Sequence, residues 1–147
     1  VWKLTGTPLS KHQREWDAGD VRADAVLIGL LWSPEILNPR INARVKRMVE
    51  TGFVEEARAL WESGALGEQS REALGYKQLI THFTGRCSLE EAVERIKVET
   101  RRFAKNQRTW LRRLRTTPNS RWLEMDDTPP EIAAQTVVRS ALGPGSS

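Results

Sequence analysis

Cysteine is almost absent from the 147-residue chain, which contains Cys87 alone. A single cysteine cannot form an internal disulfide, and it excludes zinc sites made of four cysteines, so the composition fits a reducing compartment. Long apolar runs are also lacking. The longest, Ala25 to Trp32, is far shorter than the roughly 20 residues that a membrane-spanning helix needs. The sequence therefore predicts a cytoplasmic protein with no membrane partner.

Acidic residues are scarce in one stretch of an otherwise mixed chain. Residues 95–115 contain nine Lys or Arg and one acid, Glu99, whereas the whole chain has a net charge of only +4. Charge concentrated in this way indicates a binding face for a polyanion, because closely spaced cations repel one another until an anion neutralises them. A solvated basic face without a ligand is the alternative that the charge pattern leaves open.

The same stretch has the periodicity of a long helix. Ser88 and Glu91 have the spacing of a capping box, and Pro118 follows the last basic residues, so we predict a helix over 88–115. At 3.6 residues per turn, apolar and cationic residues fall on roughly opposite sides. The apolar side, which we expect to lie on the core, contains Ile96, Phe103, Trp110 and Leu114. The cationic stripe contains Arg101, Lys105, Arg108, Arg112 and Arg115.

The remaining sequence predicts several helices and at most two strands. Ala25 to Trp32 is typical of a strand buried on both faces, and Arg121 to Met125 is the second candidate. A helix is predicted from Pro39, with Asn38 as its N-cap. Two short strands are too few for a self-contained sheet, so we expect a predominantly α-helical chain whose missing strands come from elsewhere. Further helices are predicted over residues 54–62, 71–83 and 130–142.

Six motifs follow one another along the chain. They are Leu4-Thr5-Gly6-Thr7-Pro8-Leu9-Ser10, Gly29-Leu30, Arg40-Ile41-Asn42-Ala43-Arg44-Val45, Glu55-Glu56-Ala57, Ala73-Leu74-Gly75-Tyr76-Lys77-Gln78 and Lys105-Asn106-Gln107-Arg108-Thr109-Trp110-Leu111-Arg112. In this order they resemble the C-terminal part of the tRNA dimethylallyltransferase family, also called tRNA isopentenyltransferases. One such motif is weakly specific, whereas six in order are strong. The resemblance covers about residues 4–125.

The resemblance implies an enzyme that transfers a dimethylallyl group from dimethylallyl diphosphate to N6 of an adenine beside the anticodon of tRNA. It implies an α/β fold with a P-loop-type core and a helical insertion, Mg²⁺ bound with the diphosphate, and a complete enzyme that is monomeric. Residues 1–18 would be the end of the insertion, 19–126 the C-terminal half of the catalytic core, and 127–147 a C-terminal helix and frayed tail.

The resemblance also assigns contacts to matching positions. Arg40 and Arg44 are expected to bind the diphosphate at a strand-to-helix junction, where helix N–H groups also favour phosphate. Surface pairing of Arg40 with Glu35 or Glu50 is the alternative. Contacts to the tRNA anticodon stem-loop are expected from Gly75, Tyr76, Lys77, Arg101, Lys105, Asn106, Gln107, Arg108, Thr109 and Arg112. For Gly75 and Tyr76 the alternative is a packing role, and Trp110 is expected in the core.

Two features of the family are missing from the sequence. No G-x-x-x-x-G-K-[ST] segment occurs, so the phosphate-cradling loop is absent, as is the N-terminal acid expected to act on the adenine amine. Asn106 stands where many members carry Arg. We therefore expect the C-terminal half of an enzyme, inactive alone, with no catalytic residue or metal ligand of its own. A non-catalytic helical RNA-binding module is the alternative; a DNA-binding protein or a protein scaffold fits the sequence less well.

Overall fold

The computed structural model describes residues 26–142 together with Gly6, Pro8, Ser10 and Lys11. Within these residues the chain forms six helices and two strands. In chain order they are β1 (Leu27–Leu31), α1 (Pro34–Glu50), α2 (Phe53–Glu62), α3 (Glu68–Arg71), α4 (Tyr76–Phe83), α5 (Leu89–Leu114), β2 (Ser120–Glu124) and α6 (Pro130–Leu142). The prediction of a predominantly helical chain with one or two short strands is confirmed. The predicted insertion end, residues 1–18, falls almost wholly outside the described residues.

The chain divides into two compact units. The helical unit is Trp32–Thr109, which contains α1 to α4 and most of α5. The strand unit combines the chain up to Leu31 with Trp110–Ser147, and it contains β1, the end of α5, β2 and α6. The domain limits predicted at residues 18 and 126 stay a prediction. In the part of the chain that the structure describes, no helix is long and apolar enough to span a membrane.

Helix α1 begins earlier than predicted. The Ser33 hydroxyl accepts a hydrogen bond from the Ile36 N–H at 3.3 Å, and Pro34 is the first helical residue. The predicted start at Asn38 and Pro39 is wrong, because Ser33 and Pro34 offer the same capping chemistry one to two turns upstream. Pro39 lies inside the helix, past its first turn, so α1 lacks the one backbone hydrogen bond that an N–H at this position would donate to the Glu35 carbonyl.

The core of the helical unit lies among α1, α2, α4 and α5. Leu79 of α4 is its most buried large residue, with no exposed surface. The rings of Phe53 and Tyr76 meet edge to face, with centroids 5.4 Å apart, and Trp61 packs on Phe83 at 5.6 Å. The predicted helix over 54–62 is confirmed as α2. The buried cluster consists of Val45, Val54, Ala57, Leu79, Ala92 and Ile96.

The helix predicted over 71–83 is interrupted. Helix α3 ends at Arg71 and α4 starts at Tyr76, with Gly75 between them at φ +100° and ψ −58°. Residues with a side chain rarely adopt this conformation, and Gly75 is the N-cap of α4, whereas α3 has already ended with Glu72 as its C-cap. The Gly75 N–H donates to Gln78 Oε1 at 2.8 Å, and a Cβ on Gly75 would lie 2.8 Å from the Phe53 ring. The prediction of one continuous helix is therefore wrong.

The strand unit is built on a parallel pair, in which Leu27 is opposite Ser120 and Leu31 is opposite Glu124. Gly29 lies directly against the Trp122 indole, where a Cβ could not fit. The second strand is confirmed, but the expectation that the first is buried on both faces is wrong. Leu30 is 48 % exposed, so the face of β1 on which its side chain lies is not fully covered by described residues.

Candidate nucleic-acid interface

Helix α5 forms because local signals fix both of its ends. The Ser88 N–H donates to Glu91 Oε2 at 2.9 Å, and the Glu91 N–H donates to Ser88 Oγ at 3.1 Å. The predicted capping box and the helix over 88–115 are thus confirmed. Acids in the first turn and bases in the last complement the helix dipole. The pKa of Glu90 is lowered, first by its own backbone N–H and then by the Ser88 hydroxyl.

The second half of α5 concentrates positive charge. Residues 100–114 include six Lys or Arg and no acid. The side chains of Arg102, Lys105 and Arg108 form no ion pair with any described residue. Arg113 stacks its guanidinium 5.7 Å from the centre of the Trp110 ring. This surface is therefore suited to a polyanion.

The cationic stripe is less uniform than the periodicity predicts. Arg101 is half-buried, and its guanidinium donates to Asn42 Oδ1 of α1 at 2.5 Å. Arg108 is also half-buried, whereas Lys105 and Arg112 are exposed. Arg101 thus connects α5 to α1 while lying on the side of the helix opposite Phe103, as its spacing predicts. Lys105 and Arg112 are therefore the predicted cations within α5 whose side chains are exposed.

The apolar side of α5 is covered over only part of its length. Ile96 is 3 % exposed, but Phe103 is 57 % and Trp110 is 62 % exposed. At 100° per residue all three lie on the same side of the helix, so the predicted direction is right. The predicted burial of Phe103 and Trp110 is wrong, because no described residue covers that side beyond the first half of the helix.

The remaining predicted tRNA contacts on α5 are exposed but do not share one face. Lys105, Thr109 and Arg112 lie on one side of the helix, whereas Asn106 and Gln107 lie at least about a sixth of a turn further round. A ligand lying along the cationic stripe would reach the first three residues together. A contact to Gln107 needs a ligand that also wraps toward the side of Phe103.

Gly75, Tyr76 and Lys77 have partners within the helical unit. The Tyr76 hydroxyl donates to Glu56 Oε1 at 2.7 Å, which, with partial burial, raises the pKa of Tyr76. Lys77 donates to Glu72 at 2.5 Å, and this contact raises the pKa of Lys77. Gly75 is buried, and Tyr76 is half-buried. These contacts account for a packing role of Gly75 and Tyr76, and their contact with tRNA stays a prediction.

Arg40 and Arg44 lie one turn apart on α1, and both are exposed. The Arg40 guanidinium stacks over the Trp32 ring, 4.3 Å from its centre. Neither predicted rival partner is used, since Arg40 pairs with no described carboxylate and Glu50 is paired with Lys46 at 3.7 Å. Because α1 starts at Pro34, its first N–H groups are one to two turns from Arg40. Diphosphate binding at this place stays a prediction, without the helix terminus that was expected to support it.

No metal site is recognisable in the described part of the chain. No group of three or more His, Cys, Asp or Glu side chains comes together there. Mg²⁺ bound with a phosphate substrate commonly uses only one or two carboxylates, so a larger cluster is not required. The predicted Mg²⁺ stays a prediction.

Sequence reasoning missed one concave feature of the helical unit, a groove between α4 and α5. Its lining consists of Lys77, Gln78, Thr81, Arg95 and Glu99. The i, i+4 spacing of Lys77 with Thr81 and of Arg95 with Glu99 puts each pair on one helix face. That spacing was visible in the sequence, but nothing local showed that the two faces meet.

A protein-family model described as IPP transferase matches residues 1–114. The chain belongs to the IPP transferase family. This confirms the resemblance drawn from the six motifs. The matched segment ends at Leu114, the last residue of α5, so every predicted contact with tRNA or diphosphate lies within it.

Two curated relatives illustrate how this IPP transferase family member compares with longer proteins. The tRNA dimethylallyltransferase of Geobacillus kaustophilus is 41 % identical over 130 residues, which are 86 % of this chain and 39 % of the relative. The tRNA dimethylallyltransferase of Pelotomaculum thermopropionicum is 40 % identical over 145 residues, 97 % of this chain and 45 % of the relative. The chain thus spans less than half the length of these relatives.

Solved structures of the family have the same fold over this segment. The tRNA delta(2)-isopentenylpyrophosphate transferase of Staphylococcus epidermidis matches with a TM-score of 0.73 at 32 % identity, covering 93 % of this chain and 43 % of that one. The full-length tRNA isopentenylpyrophosphate transferase of Bacillus halodurans matches with a TM-score of 0.70 at 33 % identity, covering 86 % and 41 %. The α/β fold class that the resemblance implies is supported by these family members.

Proposed function

We propose that the chain is the tRNA-contacting C-terminal part of a tRNA dimethylallyltransferase. In the complete enzyme, a dimethylallyl group passes from dimethylallyl diphosphate to N6 of the adenine beside the anticodon. Membership of the family and the names of its relatives support the class of reaction. The observation that carries the role of this segment is the positive surface on the second half of α5, where residues 100–114 include six Lys or Arg and no acid.

The transfer forms a bond between N6 and the first carbon of the dimethylallyl group. The bond from that carbon to the diphosphate oxygen breaks, the diphosphate leaves with the electron pair, and the amine gives up a proton. Groups that hold the diphosphate favour this step because they stabilise the negative charge that develops on it. We assign that role to Arg40 and Arg44. Stacking on Trp32 at 4.3 Å fixes the Arg40 plane while leaving its N–H edge open to phosphate oxygens.

Mg²⁺, when bound with the diphosphate, adds positive charge at the leaving group. Its ligands are proposed to lie in the part of the complete enzyme that precedes this segment. The same part would contain the phosphate-cradling loop, because the 147 residues include no G-x-x-x-x-G-K-[ST] segment. We therefore propose that this chain alone binds tRNA but transfers no prenyl group.

Binding is tested with a labelled anticodon stem-loop RNA and fluorescence anisotropy at several salt concentrations. If four or five cations contact phosphates, the log–log slope of affinity against salt is about −3 to −3.5. Lys105→Ala combined with Arg112→Ala should weaken binding by about tenfold at low salt and flatten the slope by about 1.4. A matched double variant on α1, Lys46→Ala with Arg47→Ala, removes two exposed charges and should change affinity much less.

The binding assay can contradict the proposal directly. Equal losses in the two double variants would show that α5 is not the interface, and an affinity independent of salt would remove the electrostatic basis of the proposal.

A second candidate, a non-catalytic RNA-binding module, shares the same positive surface. The two are separated by adding the N-terminal half of a relative such as the Geobacillus kaustophilus enzyme and measuring transfer of labelled dimethylallyl to tRNA. Transfer that requires both halves, and that is lost in Arg40→Ala, supports the proposed enzyme. Tight tRNA binding without transfer in the reconstituted protein supports the module. Turnover by this chain alone would overturn the division of roles.

A further inference from the structure

The groove between α4 and α5 has a volume of about 330 Å³, near the lower end of the range for small-ligand sites. Lys77, Gln78 and Thr81 line it from α4, and Arg95 and Glu99 line it from α5. All five belong to the helical unit. Of these residues only Lys77 is among the predicted tRNA contacts, so the groove is separate from the exposed cations further along α5.

Two charged groups of the groove are not held in close pairs with described residues, although the charge of Glu99 acts on Lys77. Arg95 and Glu99 lie one turn apart on α5, yet neither forms an ion pair or hydrogen bond to a described residue. Neighbouring charges on the same helices are paired, as in Lys97 with Glu94 at 2.5 Å. The guanidinium and the carboxylate are therefore both available to a ligand from outside.

The α4 side supplies a cation and two polar groups. Lys77 is paired with Glu72 at the edge of the groove, at 2.5 Å. Gln78 uses its Oε1 to accept from the Gly75 N–H, which leaves its NH₂ group to donate. The Thr81 hydroxyl donates to the Lys77 carbonyl at 2.9 Å and can still accept a hydrogen bond. The groove thus offers several donors for an anion and one carboxylate that can only accept.

We propose that this groove binds one ribonucleotide of the tRNA, with its phosphate at Lys77 and Arg95 and its ribose 2′-hydroxyl donating to Glu99. A site for phosphate alone would be weakened by a carboxylate, whereas a ligand that combines an anion with a hydroxyl donor uses both charges. The 2′-hydroxyl is also the group by which proteins distinguish RNA from DNA. The inference rests on the proposed tRNA binding and adds a specific nucleotide site to it.

The sign of one mutational effect tests the assignment. Without a contact to the ligand, Glu99→Ala removes a negative charge and should strengthen binding of any nucleic acid. If Glu99 accepts from the 2′-hydroxyl, the variant should bind the stem-loop RNA about three- to tenfold more weakly. It should bind a DNA stem-loop of the same sequence equally well or more tightly. Alanine favours the helix, so folding is not at risk, and thermal melting checks this.

Matched variants separate the groove from general charge effects. Glu94→Ala removes an exposed acid from the same helix outside the groove, and it should leave the ratio of RNA to DNA affinity unchanged. Arg95→Ala should weaken RNA and DNA binding by about three- to tenfold and flatten the salt slope by about 0.7 to 0.9. Lys46→Ala, which removes one exposed charge from α1, should have little effect.

Each outcome decides between the proposals. If Glu99→Ala behaves like Glu94→Ala, the 2′-hydroxyl contact is wrong. If Arg95→Ala weakens binding of inorganic pyrophosphate but not of RNA, the groove is an anion site for a different ligand and the inference fails. If the Lys105 and Arg112 double variant loses RNA affinity while Arg95→Ala does not, the groove fails and the proposed function stands. If the unaltered chain binds no RNA, both fail.

Discussion

The two halves of α5 have the same apolar periodicity but different surroundings. In the first half, Ala92 and Ile96 are enclosed by α1, α2 and α4, and acids are interspersed with bases. In the second half, Phe103 and Trp110 occupy the same side of the helix and are more than half exposed, and acids are absent. Periodicity therefore gives the direction in which side chains point, whereas burial depends on what packs against that side.

The largest expected effect is a difference in how much the two halves of α5 contribute to the free energy of unfolding. Ile96→Ala should lower the free energy of unfolding by about 2–5 kcal/mol, because it opens a cavity in a core where Ile96 is 3 % exposed. Phe103→Ala, although it removes a larger side chain, should cost less than about 1 kcal/mol, because most of that ring is already in water. Urea-induced unfolding followed by circular dichroism measures both. Similar losses for the two variants would mean that the second half is covered after all.

The next effect tests how tightly the core beside the first half is packed. Gly75→Ala should destabilise by about 2–3 kcal/mol, because a Cβ at φ +100° is strained and would press against the Phe53 ring. Gly52 is the comparison for a glycine in open space, although its ψ of 16° differs from the −58° of Gly75 and lies in the left-handed region that side chains tolerate better. It also has φ +100°, but a Cβ there would meet only a Glu55 carboxylate oxygen at 3.9 Å. Gly52→Ala should therefore cost only the conformational strain, about 1 kcal/mol. An equal cost at both positions would rule out close packing of Gly75 on Phe53.

A smaller change in stability is expected when a hydroxyl group is removed from either half of α5. Ser88→Ala removes the acceptor of the Glu91 N–H and should lower stability by about 1 kcal/mol. Thr109→Ala removes a hydroxyl that donates to the Lys105 carbonyl at 3.3 Å, and it should change stability by less than about 0.5 kcal/mol. Thermal unfolding of both variants gives the comparison. A larger loss at Thr109 would place structural contacts in the half that we assign to ligand binding.

The smallest effect depends on pH and comes from Tyr76 and Glu56. The hydrogen bond favours neutral Tyr76 and raises its pKa in the folded state. The unfolded chain then loses the phenol proton first, so this contribution is full below about pH 10 and is lost as pH rises through the raised value. Tyr76→Phe should cost about 0.5 kcal/mol at pH 8, and its difference from the unaltered chain should shrink by pH 11. A difference that grows with pH would contradict the hydrogen bond.

Local signals in the sequence were sufficient for α2, α5 and α6. The capping residues and apolar spacing that define these helices lie within a few positions of one another, and the predicted bounds agree with the structure to within one residue or so. The start of α1 was misplaced because two Pro-containing caps competed. The break at Gly75 was missed because its conformation is favoured by packing on Phe53, a residue from another helix.

For the candidate interface, too, the sequence predicted local features but not contacts between separate segments. The sequence correctly predicted that basic residues gather on one helix, because their spacing is a local property. It could not predict that Arg101 donates to Asn42 or that Arg40 stacks on Trp32, since each contact depends on how separate segments pack. The groove lined by Arg95 and Glu99 was missed for the same reason. Its lining is contributed by two helices whose approach is set by the core beneath them.

The parallel pairing of β1 with β2 has a consequence for the order of folding. Leu27 and Ser120 are partners in the sheet, yet the whole helical unit lies between them in the chain. Closing such a long loop carries a large entropic cost until the intervening residues are compact, whereas the contacts among α1 to α5 close much shorter loops. We therefore expect the helical unit to form first and the strand pair last. Opening of the strand pair should accordingly cost less free energy than opening of the helical unit. We expect the amide hydrogens of Leu27–Leu31 to exchange faster than those in the core of the helical unit.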